Sequence, residues 1–484
     1  MHLSLLSTFL LLSIAIYIVL FKVAPQPEGA TLPFTSVWVI CFLLYVGACL
    51  FVLGTKPLVG RWLWLEVGLI FTGALIFRLM LLPLPTGLSR DAWRYLWDAR
   101  VIVHGYSPYV YAPGDKILLP LRDFVYNNSR FRNITTDYPP GAELIYVVSY
   151  LLSPGNIFVL KGIFVGFDLA TCGTLALFLL RKGMDIRRVI IYAWCPLPIV
   201  EFAIEGHVDA ATVIFMVLAI VSATSSRQGM RALTGFLIGM ATLTRLYPLL
   251  LLVGVVRRRE LTLREPALLL TCFATIFLGY LPFIILGHGQ VFGFFLTYIN
   301  QQGGNSGTLQ PITRYMGTLF GLNVNSIVML EHIVDVVVVG TVSLTVLVLR
   351  WRERISMEAA TLVMIGLAFA ISSHIFPWYT TVLLPWVAIL VGPLWKDKRL
   401  SGRSVAVAMA WYFTCIIVLS YIAGVPASYT RPAWFLDNVL LFILGVVGIG
   451  VLTNWIVVAG LAVAAVIGMV NMLKSRRVHI DKAL

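Results

Sequence analysis

The sequence predicts an all-α protein, a polytopic transmembrane helical bundle of roughly 13–14 spans, each needing about 20 residues of apolar helix. Three observations point there. Of 484 residues, 59% are hydrophobic and 12% charged, far from the balance of a water-soluble domain. Apolar runs recur from Leu3 to Leu473. Between them lie short connectors rich in Lys and Arg, the pattern that sets orientation in a bilayer. Those connectors hold most of the excess behind the net charge of +14, which therefore speaks for membrane topology and against nucleic acid.

Taken in order, the run 3–21 lacks a charged n-region and exceeds the roughly 7–15 apolar residues of a signal peptide, so it is expected to be the first span. A second span precedes Trp62. The basic connectors 56–61, 181–188, 227–231, 257–264, 350–354 and 396–403 are assigned to the cytoplasmic side, with an even number of crossings between consecutive members. Segment 63–82 then leads outward, 83–156 forms a long outer loop, and 157–180 returns. Within that loop 142–152 is apolar but too short to span, which predicts an interfacial or re-entrant helix. The pair 189–203 and 208–223 encloses an outer turn at 205–209. Segment 232–256 is too short for two crossings. Pro248 interrupts it, predicting two half-helices that meet near Arg245-Leu246-Tyr247-Pro248, a break tolerated where protein or a water-filled cavity surrounds it. Next come 266–286, a second large outer loop at 287–325, and 327–349. Segments 359–371 and 379–391 enclose the outer turn 372–378. Spans at 405–423, 434–451 and 455–472 would leave Lys474-Ser475-Arg476-Arg477 outside, so the topology of the C-terminus stays open. Three regions follow: N-terminal helices 1–62, a central module 63–395, and C-terminal helices 396–484.

The six cysteines all fall in apolar segments without CxxC or metal-site spacing and are read as packing residues. Asp168, in mid-span, is expected to pair with a neighbouring helix, near Arg78. The glycine run 445–450 follows no strand and is read as close helix packing, not a phosphate loop.

Most of the remaining unusual polar residues fall on the outer side: Arg90-Asp91 through Arg100, Asp137-Tyr138, Glu205 with His207 and Asp209, Arg245, Gln310 to Arg314, and His374. Ionisable groups near a membrane are costly and by default suggest a functional site. Moving a sugar off a phosphate carrier needs a base for the acceptor hydroxyl and cations for the departing phosphate. Asp91, just beyond the exit of a span, suits the base, although it would serve equally as a solvated loop carboxylate or an N-cap. Glu205, His207 and Asp209 could position hydroxyl groups. Their i, i+2, i+4 spacing does not put all three on one helix face, which argues against a metal site. Arg245, at the apex of the half-helices, suits a phosphate or a snorkelling contact with headgroups. His374, beside Pro377, Trp378 and Tyr379, could equally belong to an interfacial aromatic belt.

In this order the motifs Asp91-Ala92-Trp93-Arg94-Tyr95, Trp97-Asp98-Ala99-Arg100, Gly105-Tyr106-Ser107-Pro108-Tyr109, Tyr138-Pro139-Pro140, Gly206-His207-Val208-Asp209, Thr244-Arg245-Leu246-Tyr247-Pro248 and His374-Ile375-Phe376-Pro377-Trp378-Tyr379 carry a resemblance. Over roughly residues 63–395 the chain resembles the polyprenyl-phosphate-sugar-dependent glycosyltransferases of the GT-C superfamily, in particular the bacterial mannosyltransferase-like branch related to the enzyme that adds the first mannose to GPI anchors. The resemblance implies a GT-C-type bundle with interfacial helices in its outer loops and Asp91 as catalytic base. It implies substrate contacts at Arg94, Asp98, Arg100, Asp137, Tyr138, Glu205, His207, Asp209, Arg245, Tyr247, Arg314, His374 and Trp378. Other members carry Lys where Arg245 stands, which keeps a cation but alters its geometry. The implied reaction inverts the anomeric centre without metal or cofactor. It passes a hexosyl group, mannosyl by family default, from a polyprenyl-phosphate donor to a glycolipid or polysaccharide acceptor at the extracytoplasmic face of the plasma or inner membrane. A transporter or flippase of lipid-linked sugars is the alternative class. It would share broken helices and a polar cavity, but should show ionisable residues along both halves of a pathway.

Overall fold

The computed structural model describes residues 2–24, 32–225, 227–258, 264–300, 309–372, 374–393, 395–396, 399–419 and 421. The expected spans at 434–451 and 455–472 lie outside the described residues, as do the glycine run 445–450 and the basic segment 474–477. The described chain is helical apart from a two-residue antiparallel ladder, Trp395–Lys396 with Arg399–Leu400.

Six helices among the described residues are long and apolar enough to cross a bilayer. These are α1 (His2–Lys22), α2 (Leu32–Gly54), α3 (Arg61–Leu81) and, beyond the loop, the helices Ile157–Arg181, Glu265–Leu286 and Val324–Trp351. The loop itself begins with α4 (Asp91–Val103) and ends with α5 (Pro140–Leu152), which Pro139 and Pro140 start. α5 is the short helix expected at 142–152, and α6 (Ile157–Arg181) follows it.

The expected single helix at 189–203 does not form. Pro196 and Pro198 cannot donate main-chain hydrogen bonds, so the helix breaks at Trp194 and Cys195, resumes at Pro196 and passes into a turn of π-helix at Ile199–Ile204. α7 (Asp209–Ala223) and α8 (Met230–Thr242) come next. The half-helix expectation holds in its geometry. α8 stops at Thr242, a 3-10 turn carries Tyr247–Leu250, and α9 (Leu251–Val255) returns. Arg231 Nη2, at the start of α8, donates to Val255 O at 3.2 Å, so the segment ends at the level where it began. The longer helices that remain are α10 (Glu265–Leu286), α11 (Leu309–Leu319), α12 (Val324–Trp351), α13 (Met357–Ile371), α14 (Pro377–Leu390, with a 3-10 turn inside it) and α15 (Gly402–Ile416).

The bundle has two distinct ends. At one, Arg187 from the basic connector reaches Glu66 of α3 at 3.2 Å and donates to Thr55 O at 2.8 Å, while His2 lies 2.9 Å from the same Glu66. At the other, Lys161 Nζ of α6 donates to Leu82 O and Leu84 O, just beyond the last turn of α3, at 2.7 and 2.6 Å. Between the ends, Arg78 donates from Nε to Asp168 Oδ2 at 2.5 Å, both side chains fully buried, so the mid-span acid finds its expected partner.

Close helix packing depends on small residues, as is usual where lipid cannot supply a hydrophobic driving force. Gly235 and Gly239 on α8 face α10 so closely that a Cβ at Gly235 would fall 2.1 Å from Leu268 O, and one at Gly239 2.8 Å from Cys272 O. Away from such contacts, α10 presents Leu270, Phe273, Phe277 and Leu278 outward, a lipid-compatible surface.

Candidate active site

At the end of the bundle away from the Arg187–Glu66 cluster, four segments distant in sequence meet. α4 contributes Asp91 at its first position, where its backbone N–H donates to Ser89 Oγ at 3.1 Å. Asp91 Oδ2 accepts a hydrogen bond from Tyr138 OH at 3.3 Å and lies 3.9 Å from His207 Nε2. Its side chain is 19% exposed, whereas the neighbouring Glu201 and Asp209 are buried and engaged with partners.

His207 follows Gly206, whose φ of +72° is a left-handed geometry that suits glycine. Its Nδ1 lies 2.9 Å from Glu201 Oε2. Burial alone would hold the imidazole pKa down. The adjacent Glu201 carboxylate, then the charges of Asp91 and Asp209, outweigh it and leave His207 above its ordinary range. Trp378 stacks on the ring at 3.9 Å. The stack continues from Trp378 to Phe376 at 4.7 Å, from Phe376 to His374 at 6.0 Å, and from His374 to Tyr298 at 4.7 Å. His374 is half-buried, and that burial lowers its pKa.

Arg245 sits at the apex between α8 and α9. Its Nε and Nη2 donate to the two carboxylate oxygens of Asp209 at 3.1 and 2.8 Å, a bidentate pair. The guanidinium lies between two aromatic faces, 5.0 Å from the Tyr138 ring and 4.6 Å from the Tyr379 ring. The apex docks on the start of α5, where Ala142 N–H donates to Leu243 O at 3.1 Å. Gly141 permits this approach, since a Cβ there would lie 2.6 Å from Leu243 Cβ. Tyr138 and Asp137 also line a small recess with Tyr109, Tyr280, Phe292 and Phe295. Burial pushes the pKa of Asp137 up, against the opposing charge of Arg245.

The structure therefore brings together Asp91, Tyr138, His207, Asp209, Arg245 and Trp378, with His374 and Asp137 adjoining. Tyr247 is partly buried, its ring 6.1 Å from Phe369. Other expected contacts lie elsewhere. Arg94 spans both oxygens of Asp98 at 2.8 and 2.9 Å and donates to Phe131 O at 3.0 Å, bracing the outer loop; burial raises the Asp98 pKa to about 6. Arg100 pairs with Asp123 at 2.5 Å and donates to Leu121 O at 3.0 Å. Arg314, on α11, lies 3.2 Å from Glu331. Glu205 points away from His207 and accepts from the backbone N–H groups of Gly87, Leu88 and Ser89 at 2.9–3.2 Å. It thereby ties down the approach to Asp91, and burial raises its pKa to about 7. The side chains of Glu205, His207 and Asp209 thus diverge to separate partners.

Sequence reasoning passed over Glu201, Tyr298 and Tyr421, and quoted Tyr379 in a motif without giving it a role. Glu201 accepts from Tyr421 OH at 2.9 and 3.1 Å, bringing the C-terminal region to the site. A carboxylate inside an otherwise apolar run was the available signal.

Residues 136–373 match the family model described as glycosyltransferase family 87, a GT-C-type family. Over these residues the chain is similar to glycosyltransferases, and the long apolar helices fit a multi-pass membrane protein. The matched span holds Asp137, Tyr138, His207, Asp209 and Arg245, while Asp91 precedes it and His374 and Trp378 follow it. No curated protein and no solved structure matched the chain.

Proposed function

We propose that this chain is an inverting glycosyltransferase that moves a hexosyl group, mannosyl in the first instance, from a polyprenyl-phosphate donor to a glycolipid or polysaccharide acceptor at the extracytoplasmic face. The carrying observation is the partly exposed Asp91 carboxylate within reach of a buried imidazole and one tyrosine ring away from a guanidinium. A base and a cation so placed suit the two charges that develop in the transfer. Asp91 takes the proton of the acceptor hydroxyl as its oxygen attacks the anomeric carbon. The bond from that carbon to the phosphate oxygen breaks, and the electron pair leaves with the phosphate.

Arg245 and His374 meet the departing phosphate. Asp209 holds the Arg245 guanidinium in one orientation, so less ordering remains to be done when the anion arrives.

The test uses the full chain in lipid vesicles with labelled polyprenyl-phosphate mannose and a lipid extract. A labelled product is expected, and the same sugar supplied as a nucleotide conjugate without carrier should give none. Failure with every polyprenyl-phosphate sugar offered would remove the proposal. Engineered cysteines at positions 91 and 374, both partly exposed, should react with an impermeant reagent from the extracytoplasmic side of sealed vesicles.

A further inference from the structure

Two carboxylates approach His207 from the two nitrogens of its ring, and only Asp91 has so far been given work in the transfer. The other is Glu201, fully buried in an apolar stretch where an ionisable side chain is costly. It is carried on the π-helical turn Ile199–Ile204, a distortion of the kind found most often at functional sites. The His207 backbone N–H donates to Glu201 O at 3.0 Å, so main chain and side chain bind the same two residues. Tyr421 donates to the Glu201 carboxylate, and Trp378 covers a face of the imidazole. A buried ion pair satisfied within the fold would account for the Nδ1 contact alone. It would not require the second nitrogen to face the carboxylate of the cluster that solvent reaches.

We propose that Glu201 is a positioning residue, holding His207 oriented and protonated so that its Nε2–H faces Asp91 and keeps that carboxylate ionised until the acceptor proton arrives. The inference rests on the transfer chemistry proposed above. His207 keeps its proton throughout, so the proton released by the acceptor resides on Asp91 and the bond changes already described are unaltered.

The charged groups around His207 are Glu201, Glu205 and Asp209 from its own segment and Asp91 from α4, while α14 contributes the neutral Trp378 and the C-terminal region the Tyr421 hydroxyl. Glu201 gives the largest of the contributions that favour the imidazolium, opposing the burial that disfavours it. Removing its charge should therefore let the imidazolium lose its proton at lower pH.

The experiment compares the full-length wild type with E201Q and E201D in nanodiscs. The titration of His207 is followed by NMR of isotopically labelled histidine, assigned by the signal missing in H207Q, and sugar transfer is measured from about pH 5.5 to 9. In E201Q the His207 midpoint should fall by about one pH unit or more. The alkaline limb of transfer should fall with it, a roughly five-fold loss at the wild-type midpoint for a one-unit fall. E201D, which keeps the charge, should recover most of both.

An unmoved His207 midpoint overturns the pairing. A midpoint that moves while the alkaline limb stays in place overturns its role in transfer, as does a loss equal at every pH, which a packing defect would give. Should the wild type move no sugar, the transfer reading falls by itself, and the NMR midpoint still reports whether Glu201 holds the imidazole.

Discussion

Replacing Asp91 by Asn separates chemistry from architecture more cleanly than any other change at this site. Asn has the same shape and still offers an oxygen to Tyr138, whose present hydrogen bond is a long 3.3 Å. The Ser89 contact uses the backbone N–H of residue 91 and survives unchanged. What the fold loses is one negative charge at the start of α4, where an acid interacts favourably with the helix dipole by roughly 0.3–1 kcal/mol. The reaction loses its base, worth roughly 10²–10⁴ in rate, or about 2.7–5.4 kcal/mol of transition-state stabilisation. The expected result is a variant that extracts and unfolds within a few degrees of the wild type, binds donor with similar KM, and turns over at least a hundred-fold more slowly. Single-turnover transfer from labelled polyprenyl-phosphate mannose, read beside a thermal-shift curve, measures both quantities. Transfer within about three-fold of wild type would refute the assignment of the base.

Arg245→Lys keeps a cation but cannot reproduce the two-pronged contact with Asp209 or the planar fit between Tyr138 and Tyr379; turnover should fall about ten-fold, with a smaller change in stability measured in detergent. Asp168→Asn leaves the Arg78 guanidinium buried without its counter-charge and should cost about 3–5 kcal/mol, read as a marked loss of thermal stability that Arg78→Met in the same chain partly restores. Glu143, buried on α5 and accepting from Thr136 Oγ1 at 2.7 Å, has its pKa raised well above the carboxylate range by burial. Its folded-state pKa exceeds the unfolded one, so stability present at acid pH is lost as pH rises through the folded value. Glu143→Gln should flatten part of that decline, leaving the parts due to the other raised carboxyls, among them Asp98 up to about pH 6 and Glu205 up to about pH 7. Thermal unfolding in detergent between pH 5 and 8 gives both slopes.

The architecture was legible where composition alone dictates it. Six long apolar runs among the described residues became long helices, and the short apolar segment 142–152 became α5. The mid-span acid Asp168 found Arg78, because a buried charge has few ways to be satisfied. Pro248 marked the break that places Arg245 at an apex. Less was legible where function depends on direction. Asp91, Arg94, Asp98 and Arg100 share one helix and one motif, yet only Asp91 reaches the central cluster, since Arg94 and Asp98 close on each other at i, i+4 spacing. Glu205 and His207 are two residues apart and face different partners. Glu201 was hidden because the run around it has the composition of a span, and neither the proline-induced break nor the π turn leaves a periodic trace.

Gly141 carries no side chain, yet a methyl group added there would collide with Leu243 at the apex of the half-helices. Leu243 stands two residues before Arg245, and Gly141 three residues after Tyr138, so the contact works as a shim between the two segments that hold the cation against its aromatic wall. Sequence drift at this position is therefore constrained by tolerance of fit rather than by reactivity. An alanine there would wedge the guanidinium off its seat and silence the catalyst with every chemical group still present.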